Sequence, residues 1–289
     1  MLETTLQAVG IPTAIAALIL LSVLLVRGLR RRPALADAAL AVCLPCSAVI
    51  TFMIEKGLPT LPPQQQWLVV PWVLLCAALL GVAARAVAPR GSGGLTCILA
   101  AAVAGGLGGW LLVLPGLDSM DTRVTLGLQL GLGVLLLGAV ARSGRPVTCM
   151  IGAWACAALL SLTLLISANI TLGLAAGAVS ATAAVGAVGL SLFRGSAPAG
   201  RVGVGTAVSL AVTLVMLLVV GQAYDYSLDG IAPWRWWLCL LPLAILVLVP
   251  GGKRKALAIA AVLVPAAIAI AVAWPQLQDL MATGGSVGA

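Results

Sequence analysis

Ten stretches of almost unbroken apolar residues follow one another along the 289-residue chain, separated by short polar connections. They cover 9–26, 34–54, 67–88, 95–114 and 124–141 in the first half, and 147–168, 172–193, 202–221, 234–250 and 256–274 in the second. Each is close to the roughly 20 residues with which a helix crosses a hydrocarbon core of about 30 Å. Transmembrane strands would alternate apolar and polar positions over segments of about ten residues. These runs are continuous, and a helix is the open-ended form that satisfies its own backbone in lipid. The pattern therefore predicts an all-α, polytopic transmembrane helix bundle of about ten spans. The longest connections are 55–66, 222–233 and the tail 275–289. All are shorter than the roughly 40 residues below which a domain rarely folds alone, so 1–289 reads as a single integral membrane domain.

Composition sharpens this. Hydrophobic residues make up 62% of the chain, charged residues 8%, and the mean hydropathy is +1.17. A soluble domain carries about three times as much charge, so a soluble globular protein is excluded. The placement of charge matters more than its amount. Every second connection is basic: Arg27 and Arg30 to Arg32; Arg85 and Arg90; Arg142 and Arg145; Arg194 and Arg201; Lys253 to Lys255. These hold 13 of the 16 basic residues. The opposite connections hold Lys56, Arg123 and Arg235 with seven of the eight acids, and the last acid, Asp37, opens the second span on the basic side. The two faces thus carry +12 and −4. Basic connections stay in the cytoplasm, which predicts that both termini are extracytoplasmic. The net charge of +8 is accounted for by topology, and no nucleic-acid partner is expected. In the first span an acid precedes the apolar run and the basic cluster follows it, the reverse of a signal peptide, so this span reads as a retained anchor. Seven of the eight tryptophans fall near the predicted outer ends of spans, Trp154 being the exception, as expected for a ring that is apolar with a polar edge.

Small residues recur every fourth position inside the spans: Ala101, Gly105 and Gly109; Gly127 and Gly131; Gly173, Gly177 and Ala181. Such spacing lets helix backbones approach closely where lipid supplies no hydrophobic drive. In the alternative, Gly105-Gly106-Leu107-Gly108-Gly109 loosens its helix, as in discontinuous transporter spans, and Gly105, Gly106, Gly109 and Gln129 mark a solute path. Pro45 and Pro265 interrupt the second and tenth spans. Arg90, Arg142 and Arg194 recur at a spacing of 52, which two spans with two short loops also produce without duplication.

Candidate chemistry is sparse. All seven cysteines lie inside spans, away from the exported loops where a disulfide framework belongs. Cys43-Leu44-Pro45-Cys46 places two thiols on one helix face with a proline between them, similar in spacing to thiol-redox sites. That chemistry needs a neighbouring cation or a helix N-terminus, and mid-span cysteine is also an ordinary small apolar residue. Asp37 is the one acid within a span, in a first turn where the helix dipole favours an anion. Gln129 and Asn169 are the strongly polar residues of the outer halves and suit hydrogen bonds between helices. Asp118 with Asp121, and Asp225 with Asp229, could hold a hard cation or keep the exported face negative.

The absences exclude more. There is no histidine, hence no histidine-ligated metal or haem and no imidazole relay. Neither HExxH nor a P-loop occurs. A span interior without acid or histidine lacks the usual proton carrier. No catalytic residue, cofactor or metal site is indicated. Two functions are expected ahead of an enzyme: first an uncoupled permease or channel-like carrier for a small solute, and as the alternative a non-catalytic structural or assembly subunit of a membrane complex. A thiol-redox carrier using Cys43 and Cys46 stands third. The partners expected are the lipid bilayer and other membrane subunits. Thirteen arginines against three lysines, in a chain dominated by Ala, Gly, Leu and Val, suggest a GC-rich bacterial genome and so a bacterial inner membrane.

Overall fold

The computed structural model describes residues 2–25, 33–57, 69–87, 93–111, 119–167, 169–192, 202–225 and 233–248, and every regular element among them is an α-helix. In chain order these are α1 (Leu2–Leu25), α2 (Pro33–Lys56), α3 (Val69–Val87), α4 (Gly93–Leu111), α5 (Met120–Ser143), α6 (Pro146–Ile166), α7 (Ile170–Leu192), α8 (Val204–Ala223), α9 (Pro233–Leu238) and α10 (Leu241–Leu248). Six of them, α2, α3 and α5 to α8, are long and apolar enough to cross a membrane. Shorter apolar helical stretches occur at Gln7–Leu20, Gly94–Trp110 and Trp234–Leu248. The chain is a helical membrane protein. The expected tenth span, 256–274, and Pro265 with it, lie outside the described residues.

Local chemistry explains several boundaries. Ser119 precedes α5 with its hydroxyl accepting the Thr122 amide at 3.2 Å, which satisfies one of the donors a helix start leaves open. Pro146 opens α6, where its missing N–H costs nothing. Gly57, at φ 79°, ends α2 by donating to the Met53 carbonyl at 3.0 Å, in the left-handed conformation glycine adopts without strain. The ninth apolar run is broken into α9 and α10 at Cys239 and Leu240. Pro242 is the cause: it has no N–H for the Leu238 carbonyl and its ring crowds that position. The turn is closed instead by shorter bonds, Cys239 to Trp236 at 3.2 Å and Leu240 to Trp237 at 3.1 Å. Pro45, by contrast, is absorbed in an uninterrupted α2.

Helix α8 occupies the axis. Every residue from Val204 to Gly221 is buried, because α2, α3 and α5 pack along it, with α4, α6, α7 and α9 completing the enclosure. Around this centre α6 pairs with α7, α1 closes against α2 and α7, and α10 lies on α6 and α5. The α4 helix is peripheral and leans chiefly on α5. Outward faces carry large apolar side chains, Leu79 at 68% exposure and Leu136 at 66% among them. Apolar surface on this scale is lipid-facing in a protein of this kind.

The helices alternate in direction. At one end the start of α2, the end of α3 and the start of α8 meet at Asp37. The Val202 amide before α8 donates to the Gly144 carbonyl after α5 at 3.1 Å. At the other end Thr51 of α2 donates to the Ala8 carbonyl of α1 at 2.8 Å. There Asn169, before α7, also donates its side-chain amide to the Tyr224 carbonyl after α8.

Candidate functional site

The buried acid does something other than its sequence position suggests. Asp37 sits in the first turn of α2, but its carboxylate serves the N-terminus of α8. It accepts from the Gly205 amide at 3.2 Å, the Thr206 amide at 2.9 Å and the Thr206 hydroxyl at 2.6 Å. The same hydroxyl also lies 3.0 Å from the Asp37 carbonyl. The open amides and positive dipole end of a helix form a natural anion site, and here an acid from another helix fills it. Arg85, in the last turn of α3, completes the charge balance with Nε 3.6 Å from the carboxylate. Gly203 is required at this junction, because a Cβ there would fall on the Asp37 carboxylate. One turn further along, Ser209 donates to the Ala41 carbonyl at 2.5 Å. A Cβ on Gly81 would stand 2.8 Å from that of Ser209. Three helices are thereby locked at one end through one carboxylate and a patch of small residues.

The glycines predicted as a solute path form a second feature. Gly105 and Gly109 of α4 press on the α5 backbone: a Cβ on Gly105 would lie 2.6 Å from the Gly127 carbonyl, and one on Gly109 2.8 Å from the Arg123 carbonyl. The run 105–109 is continuous helix, so the glycines bring two backbones together without interrupting either. Gly106 is on the exposed side, with nothing within 4 Å of a Cβ placed there. Beside this seam runs a groove of about 460 Å³, lined by Gly105, Gly106 and Gly109, by Gly127 and Gly131 opposite, and by large apolar side chains. Trp110 and Arg123 stand at one end, the guanidinium carbon 5.5 Å from the ring centre. Gln129 does not line the groove. It is two residues from both Gly127 and Gly131, about 200° around the helix from each, so half-buried Gln129 belongs to the other side of α5.

The remaining small-residue stripe also marks a crossing. Gly173 and Gly177 of α7 face α6, where Ser161 donates to the Gly173 carbonyl at 2.6 Å. Cys43 is buried and Cys46 half-buried on α2, both as free thiols. Cys43 is six residues from Asp37, about 9 Å along the helix, and Arg85 is engaged with that carboxylate. Among the described residues no group of three or more His, Cys, Asp or Glu could hold a metal ion. Asp118, Asp229, Arg90 and Arg194 lie outside the described residues.

Three assignments need correcting or completing. Trp236, expected at the outer interface, is wholly buried, its ring 2.9 Å from where a Cβ on Gly221 would stand. Trp234, Trp236 and Trp237 fan about 200° and 100° apart on α9, so the three cannot share one environment. Trp234 is 56% exposed, as an interfacial ring requires. Arg85, counted in the sequence only as part of a basic connection, is an ion-pair partner. Sequence reasoning missed the destination of the Asp37 carboxylate; the Gly203-Val204-Gly205-Thr206 start of α8 was the available signal. Buried side-chain atoms without a hydrogen bond include Thr182 Oγ1, Gln222 Oε1 and Trp236 Nε1, which belong to three different helices. Compared with protein-family models, curated proteins and solved structures, the chain matches none.

Proposed function

We propose that the chain is a non-catalytic structural or assembly subunit of a membrane complex, in the bacterial inner membrane. The observation that carries this is the filled axis. A carrier needs a polar or hydrated route between its helices, whereas α8 occupies that position and is buried along its length. The polar groups around it are largely committed to structure: Asp37, Thr206 and Ser209 at one end, Asn169 at the other. What the bundle offers instead is a rigid body with a broad apolar exterior, the property a scaffold requires. Its test has two arms. Tagged chain extracted in mild detergent is expected to elute with the same partner subunit in constant ratio. The isolated chain, reconstituted in liposomes, is expected to give no solute flux above empty vesicles. Reproducible flux by the isolated chain would overturn the proposal.

A specific observation also favours the permease reading: Gly105, Gly106 and Gly109 all line one groove. In that case the route is lateral, along α4 and α5 at the lipid boundary, and the solute is mainly apolar. Flux that Gly105→Leu abolishes, with expression intact, is the expected sign of it.

A further inference from the structure

We propose that α2 carries a hinge at Pro45, latched by the Ser209 hydroxyl of α8. The argument begins with a missing donor. In a regular helix the amide of residue 45 donates to the Ala41 carbonyl, four residues earlier. Proline has no such N–H and its ring crowds that carbonyl, yet α2 runs unbroken from Pro33 to Lys56 with Pro45 inside it. Continuity is not automatic, since Pro242 breaks the ninth run at Cys239 and Leu240. In α2 the Ala41 carbonyl is where Ser209 donates, at 2.5 Å. A hydroxyl from a neighbouring helix thus replaces the bond that proline removes, one of the ways in which membrane spans tolerate proline. Ala41 and Ser209 are both wholly buried, where an unmade bond is costly. Gly81 of α3 makes room for the approach, because a Cβ there would lie 2.8 Å from that of Ser209 and 3.1 Å from that of Ala41.

The two halves of α2 are held by different helices, and this makes the gap a hinge. The first half is bonded to α8, through the Asp37 carboxylate on the Gly205 and Thr206 amides and the Thr206 hydroxyl. The second half is bonded to α1, where Thr51 donates to the Ala8 carbonyl at 2.8 Å. Just beyond Pro45, Ser47 donates back to the Leu44 carbonyl at 2.7 Å and Thr51 to the Ser47 carbonyl at 3.0 Å. Back-bonding of this kind weakens and bends helices, and proline is the commonest site of a sharp kink. A displacement of α1 against α8 therefore concentrates on the turn 41–45, which lacks a backbone bond of its own. With the Ser209 bond made, α2 is one rod in register with α8. With it broken, the outer half follows α1 while Asp37 keeps the inner half on α8. The proposal is independent of whether the chain is a scaffold or a carrier.

The test is a double-mutant cycle on the full chain in mild detergent, read by the unfolding equilibrium constant and by amide hydrogen exchange along α2. Ser209→Ala keeps the Cβ that Gly81 accommodates and removes the hydroxyl. It is expected to raise the unfolding constant about tenfold, the size of one buried hydrogen bond. Exchange should accelerate at residues 46–51, beyond the gap, and stay as in wild type at residues 38–41. Pro45→Ala returns an N–H to the Ala41 carbonyl, and in that background Ser209→Ala is expected to cost no more than about twofold and to leave exchange unaltered. Ser209→Cys, a weaker donor of similar size, is expected to fall between wild type and Ser209→Ala, which preserves the readout if the alanine variant does not fold. An equal cost of Ser209→Ala in both backgrounds would make the hydroxyl an ordinary packing group and overturn the latch. Exchange that rises evenly along α2, or nowhere, overturns the hinge.

Discussion

The axis of the bundle and its α4–α5 edge are built from the same small residues and differ in what those residues accomplish. At the start of α8, Gly203, Gly205 and Gly81 remove bulk so that a carboxylate and three helices can converge, and the junction is closed by charge and hydrogen bonds. At the edge, Gly105, Gly109, Gly127 and Gly131 bring two backbones together, and one flank of the seam stays open to lipid. Glycine spacing alone therefore identifies close approach. Whether the approach becomes a lock or a groove depends on whether a polar side chain is delivered to it from elsewhere.

The contrast is broken most severely at the lock. Asp37→Ala removes the acceptor for two amides and a hydroxyl and leaves the N-terminus of α8 without an anion. Leaving a buried donor of this kind without its acceptor costs about 1–3 kcal/mol, and here the Gly205 and Thr206 amides and the Thr206 hydroxyl all lose the carboxylate. Arg85 is 38% exposed, so solvent screens its share, and the damage falls mainly on the helix end. The unfolding midpoint in denaturing detergent should drop sharply for Asp37→Ala and only slightly for Arg85→Ala. An unaltered midpoint for Asp37→Ala would remove the lock from the account of the fold.

Gly105→Leu comes next. Its side chain meets the Gly127 carbonyl, which is backbone and cannot swing aside. Overpacking costs about 1–3 kcal/mol, but here the damage should be regional, because α4 depends chiefly on α5. Paired cysteines across the α4–α5 seam should cross-link poorly in this variant while pairs across α2 and α8 cross-link as before. Equal loss at both places would mean that the edge and the axis are one cooperative unit.

Thr206→Val is smaller. It preserves shape and removes the hydroxyl that bridges the Asp37 carboxylate and carbonyl, while the two amide bonds remain. About 1–2 kcal/mol is expected from the lost charge-assisted bond, read as a midpoint shift between those of Asp37→Ala and wild type.

Which of these features the sequence could disclose follows from their physical range. Apolar run length is local and large, and it predicts an all-helical chain, of which six described helices are long and apolar enough to cross a membrane. The stripes at Gly105, Gly127 and Gly173 also lie where small residues predict close packing. The Asp37 bonds to Gly205 and Thr206 span 168 and 169 positions, and nothing near Asp37 names its partner; Arg30 to Arg32 were the nearer cations in sequence. Trp236 and Pro242 fail differently. Both obey simple helix rules, a 100° step and a missing N–H, which a reading by span length passes over. The groove was legible only in part, since Gly105, Gly106 and Gly109 share it while Gln129 lies on another side of α5.

That separation of Gln129 from the seam gives the mildest and most discriminating test. Gln129 is half-buried on the side of α5 away from Gly127 and Gly131, and it contributes nothing to the groove lining. Replacing it with leucine in a helix bordering lipid removes a polar group and keeps similar bulk, so the midpoint should move by no more than about 0.5 kcal/mol. Cross-linking across the α4–α5 seam should be that of wild type, in contrast to Gly105→Leu. If Gln129→Leu instead loosens that seam, then the two sides of α5 communicate, and the division between a closed axis and an open edge is drawn in the wrong place.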